Sequence, residues 1–379
     1  MRALERWVAD HLEAVVEDVA DLARVESGSS DLDDLRAAVV AIEALFERHL
    51  GAPDRRVLHD GGERGDVLVL EHGATDGGDG PPVLVLCHYD TVWPHGTLAG
   101  WPVTRTGDRL EGPGVFDMKA GLVFGVWALA ARRAAGLATP RVRFVLNGDE
   151  ETGSLASRPH IEAAAADARW TLVLEPSSGG RVKTRRKGVG LFDVRADGVS
   201  AHAGLEPEKG ASAVHALAAV VTELVALADP AAGTTVNVGL VEGGSGRNVV
   251  AQRASIGVDV RIADPAETAR LDDAFARIRP ADDRVTLTWS GGWNRPPMTL
   301  NDASAALLDR ARAIADDLGH PLQDVGVGGA SDANFVSALG GGVLDGLGAV
   351  GDGAHARHEH LDVPSVPRQV AVIAGLMGG

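Results

Sequence analysis

Two periods of hydrophobicity alternate along this chain, and the points where one gives way to the other predict its layout. The opening segment MRALERWVADHLEAVVEDVADLARV spaces apolar residues at helical steps, which predicts one amphipathic helix over Ala3–Val25. A second helix is predicted over Asp34–His49, beyond the polar stretch Ser27–Asp34. Short strands are expected around Arg56–His59 and Asp66–His72, ahead of a glycine-rich turn, Gly73–Pro82. Three runs rich in apolar residues follow: VLVLCHYDTV from Val83, VRFVLN over Val142–Asn147, and Trp170–Leu174. Each has the length and composition of a strand buried on both faces. A strong helical segment, Met118–Ala134, lies between the first two. Helices alternating with buried strands predict an α/β sheet.

From about Lys183 the pattern changes. RVKTRRKGVG is a basic connector, and Val189–Ala196 alternates like a half-exposed antiparallel strand. A helix over Gly210–Ala228, strands over Thr234–Val241 and Val249–Ile262, a helix over Ala266–Ile278 and a strand over Arg284–Ser290 complete the order β-α-β-β-α-β. That order is the ferredoxin-like signature of a separate α+β domain. The helix Ala303–Gly319 and strands near Gln323–Val327 and Gly342–Leu347 are expected to return to the first sheet, which makes the small domain an insertion, and a last helix is expected from about Asp362.

Composition narrows the function. A chain of 379 residues is long for one core and predicts two domains. With 45% hydrophobic and 23% charged residues and no apolar run long enough to span a bilayer, it is expected to act without a membrane. The amino-terminal segment carries charge throughout and is expected to be a helix, not a signal peptide. Cys87 is the single cysteine, so no internal disulfide forms, which fits a cytoplasmic location. A formal charge of −17 argues against nucleic acid as a partner. Part of that charge is expected to sit inside, facing metal cations.

The chemistry gathers where buried strands end. Val83–His88 runs into His88, Tyr89 and Asp90, and alternation puts His88 and Asp90 on one face. A carboxylate there can fix one ring nitrogen and leave the other for a metal; taken alone, the pair reads equally well as a structural histidine. Asp117 stands just before a helix, as an N-cap or as a metal ligand on a glycine-rich loop. Val142–Asn147 ends in Asp149, Glu150 and Glu151, adjacent acids that call for a nearby positive charge. Trp170–Leu174 ends in Glu175. The tail GAVGDGAHARHEHLD holds His355, His358 and His360, either a solvated turn or a ligand on a loop. Histidines and carboxylates without a thiolate suit zinc, and the carboxylates are too many for one tetrahedral ion but right for two that share a bridging acid. A further, unbound carboxylate would then move the proton of an attacking water.

In order and spacing, HYDTV, GPGVFDMKAG, NGDEETGS, LEPS, the SAHAG segment and GAHARHEHLD resemble the motifs of the M20 family of dinuclear zinc peptidases and amidohydrolases, most closely the glutamate carboxypeptidase branch. The resemblance covers nearly the whole chain. It implies a catalytic domain with a mixed, mostly parallel sheet flanked by helices, formed by residues 1–184 and 297–379, with residues 185–296 as a ferredoxin-like lid and dimerisation domain. It implies two Zn2+ per subunit, with Co2+ or Mn2+ as possible substitutes: one held by His88, Asp117 and Glu175, the other by Asp117, Glu151 and His355. Glu150 corresponds to the general base, Asp90 to the residue that orients His88, and His202 to an oxyanion-stabilising histidine. His358 is the alternative to His355; the spacing to Glu359 favours His355. The resemblance also implies a cis Asp117–Met118 peptide, substrate contacts at Asn248, Arg261, Lys183 and Arg295, a pocket floor at Ser331 and Asn334, and a homodimer.

The expected activity is hydrolysis of an amide beside a free carboxylate, with a small N-acyl amino acid or short peptide as substrate and an amino acid such as glutamate released. An N-acyl amino acid deacylase or a dipeptidase would use the same metal residues. A binding relative without activity would have no need of Glu150.

Overall fold

The computed structural model describes residues 1–74, 78 and 80–378, so part of the turn expected over Gly73–Pro82 lies outside the described residues. Two compact units emerge. The first comprises Met1–Arg185, Thr299–Val327 and Ser331–Gly379; the second comprises Arg186–Met298 and Gly328–Ala330.

A six-stranded sheet organises the first unit, in the order Arg55–His59, Val67–His72, Val142–Asn147, Val83–His88, Trp170–Val173, Val343–Leu344. The last four strands are mutually parallel; Val67–His72 runs antiparallel to both of its neighbours, so Arg55–His59 shares the direction of the four. Every residue of Val83–His88 and Val142–Asn147 is buried, which is why both are rich in apolar residues; Arg143, the charged exception, is paired with Glu71 and Asp167. Helix Ala120–Ala134 packs onto this sheet closely enough that a Cβ on Gly121 would come within 1.9 Å of the Leu174 carbonyl oxygen. Helix Val366–Leu376 and the N-terminal helices complete one hydrophobic core around it.

The sequence pattern misplaces three features of this unit. The N-terminal segment is two helices, Arg2–Asp10 and Leu12–Ala23, in place of the single helix expected over Ala3–Val25. His11 divides them: its ring stacks on Trp7 and its Nδ1 lies 2.7 Å from the Trp7 carbonyl, the acceptor that its own N–H would use in a continuous helix. The His11 N–H turns instead to the Val8 carbonyl. The strand Asp324–Val327 does not rejoin the main sheet but pairs with Val182–Arg186. Val343–Leu344 already occupies the sheet edge, and Asp324 is held by Thr184, Arg185 and Arg312. Finally, a small antiparallel sheet of Gly351–Asp352, His360–Asp362, Arg109–Glu111 and Thr104–Thr106 went unread, because strands of two or three residues show no period. It lays the histidine-rich tail beside the glycine-rich loop that ends in Asp117.

The second unit is a four-stranded antiparallel sheet in the order Thr235–Gly243, Arg253–Ile262, Gly188–Asp197, Thr286–Arg295. Helices Ala213–Val225 and Ala266–Phe275 share a core with one of its faces, and the connectivity is ferredoxin-like. Arg253–Ile262 alternates buried and part-exposed positions throughout, as a sheet covered on one side requires.

Candidate metal centre

Sheet register delivers the first acids and histidine to a single edge. His88 stands opposite Asn147 and Leu86 opposite Val173, all in parallel pairing. The chain leaving Asn147 therefore reaches Glu150 and Glu151, and the chain leaving Val173 reaches Glu175, beside the end of the His88 strand. Asp117 arrives on the turn Val115–Lys119, and the Asp117–Met118 peptide is cis. Asp117 is no N-cap: helix Ala120–Ala134 starts three residues later, after Lys119, without a capping side chain. His355 comes from the far end of the sequence, on the loop between two strands of the small sheet, with a left-handed backbone (φ 61°).

These side chains converge. His88 Nε2 lies 3.3 Å from Asp117 Oδ1 and 3.5 Å from Glu175 Oε1. His355 Nε2 lies 3.4 Å from Asp117 Oδ2 and 3.1 Å from Glu151 Oε2. Asp117 thus turns one carboxylate oxygen to each imidazole. Ligand atoms of His88, Asp117 and Glu151 fall within 4.8 Å of one another, as do those of His88, Glu150 and Glu175. Of the tail histidines, His355 is the one whose ring faces Asp117 and Glu151, while the His358 carbonyl lies 2.9 Å from His360 Nδ1.

Asp90 organises the cluster from behind. Its carboxylate is fully buried and accepts from the Glu150 and Glu151 N–H groups, both at 3.2 Å, and from the Ser29 hydroxyl at 2.8 Å. It therefore holds the backbone that presents both glutamates. The nearer partner of His88 Nδ1 is the Asp90 carbonyl oxygen, at 3.0 Å, with the carboxylate at 3.5 Å. Asp149 turns away from the cluster to accept from Ala156 N–H, so the three adjacent acids divide between structure and site.

Electrostatics identifies what the cluster needs. Burial opposes charge on His88, but bonds to Asp117, Asp90 and Glu175 overcome it and hold the imidazolium well above the usual range. Asp117 and Glu151 push His355 up to about 10. Burial also opposes charge on Asp117, yet His355 and His88 hold it far below the ordinary carboxylate value; at Glu151 burial wins and the shift is upward. Left to the protein alone, the positive charge comes from protons on two imidazoles. Divalent cations fit the same place: Glu151 Oε1 is buried without a hydrogen bond among the described residues, Asp117 Oδ1 faces the His88 ring at 3.3 Å, and imidazole with carboxylate is a donor set for zinc. A separate trio, Glu26, Asp34 and His95, is a weaker candidate, since Glu26 is engaged by the Gly96 and Leu98 N–H groups and His95 by Asp34.

The remaining predicted residues divide between the units. Lys183 lies in the first, where its backbone pairs with Asp345. Ser331 and Asn334 are fully buried; the Ser331 hydroxyl donates to Asp345 and its N–H to Asn334 Oδ1, so both brace the turn from within. His202, Asn248, Arg261 and Arg295 belong to the second unit. His202 is exposed, and its Nδ1 accepts from Gly204 and Leu205 N–H at 3.1 Å each, which leaves its N–H on Nε2. Asn248 is exposed. Arg261 makes a bidentate pair with Asp259, a partner legible in the i, i+2 spacing on one strand face. Arg295 is buried and donates to Asn294. Sequence reasoning missed Ser29, whose hydroxyl has no motif to announce it, and gave Glu359 no role beyond its spacing.

Comparison with known proteins places this geometry in context. Residues 84–378 match the description of peptidase family M20/M25/M40. The chain is 29% identical over 378 residues to carboxypeptidase G2 of Pseudomonas sp. (strain RS-16), covering 97% of this chain and 89% of that protein. It is 27% identical over 308 residues to succinyl-diaminopimelate desuccinylase of Stenotrophomonas maltophilia, covering 76% and 80%. Its fold matches the crystal structure of aminopeptidase PepT from Bacillus cereus with a TM-score of 0.78, over 97% of this chain and 98% of that one, at 21% identity.

Proposed function

The chain belongs to peptidase family M20/M25/M40 and is a hydrolase of amide bonds, and from that premise we propose a zinc-dependent carboxypeptidase that releases a C-terminal residue such as glutamate from a small N-acyl amino acid or peptide. The observation that carries this reading is Asp117, with one oxygen toward His88 and the other toward His355. In this reading His88, Asp117 and Glu175 hold one zinc, and Asp117, Glu151 and His355 the other, with Co2+ or Mn2+ able to substitute. Two such cations supply polarisation of the scissile carbonyl and acidify a water.

The protein's own groups do the rest. Glu150 takes the proton from the attacking water and returns it to the leaving amine, so the free carboxylate is restored at the end of the cycle. Asp90 keeps Glu150 and Glu151 in place through their N–H groups. The Nε2–H of His202 donates to the oxyanion of the tetrahedral intermediate. Asn248 and Arg261 hold the substrate carboxylate, and Arg261 exchanges Asp259 for it. Lys183 and Arg295 complete the recognition, Arg295 from a buried position. A homodimer through the second unit is supported by Leu240 and Val241, 71% and 75% exposed on the edge strand Thr235–Gly243. No described helix is long and apolar enough to cross a membrane, and the single, buried Cys87 fits a cytoplasmic enzyme.

A deacylase reading has its own support in the similarity to succinyl-diaminopimelate desuccinylase. A panel of N-acyl amino acids, varied first in the released residue and then in the acyl group, separates the two when run with wild type and Glu150→Ala. Fastest turnover of acyl-glutamates supports the carboxypeptidase, and fastest turnover of N-succinyl substrates supports the deacylase. Equal rates in wild type and variant remove both and leave a non-catalytic binding relative.

A further inference from the structure

Glu359 is fully buried, and the reaction above makes no use of it. Its Oε1 accepts from the Phe116 N–H at 2.9 Å and the Asp117 N–H at 3.0 Å. Its Oε2 accepts from the Gly114 N–H at 3.0 Å and from Trp93 Nε1 at 2.9 Å. The backbone joins in, since Gly112 N–H donates to the Glu359 carbonyl. Space is tight there too: a Cβ on Gly353 would stand 2.7 Å from the Glu359 nitrogen.

The donors come from two distant stretches of chain, and the acceptor from a third. Trp93 follows His88 and Asp90, Gly114 and Phe116 lead into Asp117, and Glu359 itself stands four residues beyond His355. One carboxylate therefore binds together the three segments that bring His88, Asp117 and His355 to the cluster. We propose that Glu359 is a positioning residue of the dinuclear centre: it fixes the Asp117 backbone so that the Asp117 carboxylate faces both imidazoles, and it anchors the His355 loop to the same point. The inference rests on the metal reading above.

The chemistry of the acceptor explains why a carboxylate stands here. Four N–H donors converge on two oxygens, a pair to each, and an ionised carboxylate has lone pairs for all of them. A glutamine offers one oxygen, so in either orientation its NH2 group faces two N–H donors and one pair is lost. Loss of such an outer partner typically lowers metal affinity or activity about 10- to 100-fold.

The test measures metal affinity directly, by competition of zinc with a chromophoric chelator, for wild type, Glu359→Gln and Glu359→Asp. Ile42→Val, a core change in helix Leu32–Leu50, serves as a control for lost stability. Glu359→Gln is expected to raise the zinc Kd about 10- to 100-fold, with kcat lowered, KM little changed and activity partly regained in excess zinc. Glu359→Asp keeps both oxygens on a shorter arm and is expected to fall between; it decides the matter if Glu359→Gln fails to fold. Wild-type zinc affinity in the folded Glu359→Gln protein, or in Glu359→Asp when the glutamine variant is unfolded, overturns the proposal. So does a loss no greater than that of Ile42→Val at equal loss of stability. Wild-type protein that takes up fewer than two zinc ions instead overturns the parent metal reading, and this proposal with it.

Discussion

Replacing His72 by phenylalanine should make the protein markedly less sensitive to acid. His72 ends the strand Val67–His72, is 1% exposed and packs between Phe46 and Phe144, with ring centroids 6.1 and 6.5 Å away. Its Nε2 has no hydrogen-bond partner among the described residues. Burial, with Arg133 adding to it, lowers its pKa from 6.5 to about 4. The sign follows from linkage: between those values the unfolded chain binds a proton on His72 that the folded protein refuses, so stability is full above pH 6.5 and falls as pH drops toward 4. Integrated from about pH 7 to about pH 4.5, the loss is about 2.5 kcal/mol. Phenylalanine has a similar ring and no proton to bind. In denaturant titrations followed by tryptophan fluorescence, the stability difference between His72→Phe and wild type should grow by about 2.5 kcal/mol in favour of the variant over that range, since every other titrating group is common to both. A difference that stays constant within about 0.5 kcal/mol would show that His72 titrates alike in both states and would refute the reasoning.

Further expectations follow from the site and the packing beneath it. Glu150→Gln should lower kcat about 10²- to 10⁴-fold with zinc content unchanged, because it removes a base and no ligand; zinc loss matching the activity loss would make Glu150 a ligand. Because Asp117 and Glu151 hold the His355 pKa up at about 10, zinc must displace a proton from His355 at neutral pH, so affinity should rise with pH between about 6 and 9. Calorimetry in buffers of different ionisation heat checks this, and a pH-independent Kd would contradict it. Gly121→Ala should destabilise the protein by about 3 kcal/mol despite alanine's helix propensity, worth about 1 kcal/mol, because the new Cβ meets the Leu174 carbonyl at 1.9 Å beside Glu175. A thermal melt at or above the wild-type midpoint would show that the helix moves aside at no cost.

The buried strands were the most legible part of the chain. Val83–His88 and Val142–Asn147 are covered on both faces, so their sequences are mostly apolar, and the acids and histidine at their ends stand out by contrast. The inserted domain was legible for the complementary reason, since a sheet covered on one side alternates strictly, as Arg253–Ile262 does. What failed depends on long-range partners. The small sheet that carries the His355 loop is made of strands too short to hold a period, and only pairing of Gly351–Asp352 and His360–Asp362 with the distant Arg109–Glu111 strand defines it. The break at His11 depends on one side chain competing for the Trp7 carbonyl. The partner of Asp324–Val327 is not legible in the sequence, because periodicity predicts a strand but never its neighbour. Glu359 was invisible as an anchor for the same reason: its donors lie more than 240 positions away.

The decisive measurement is the number of zinc ions bound per chain in wild type, Asp117→Asn, Glu175→Gln and Glu151→Gln, by elemental analysis after equilibration with buffered zinc. If Asp117 joins two cation sites, wild type binds two, each glutamate variant weakens one, and Asp117→Asn loses both. An Asp117→Asn protein that still binds two zinc ions, or a wild type that binds none, would contradict the account.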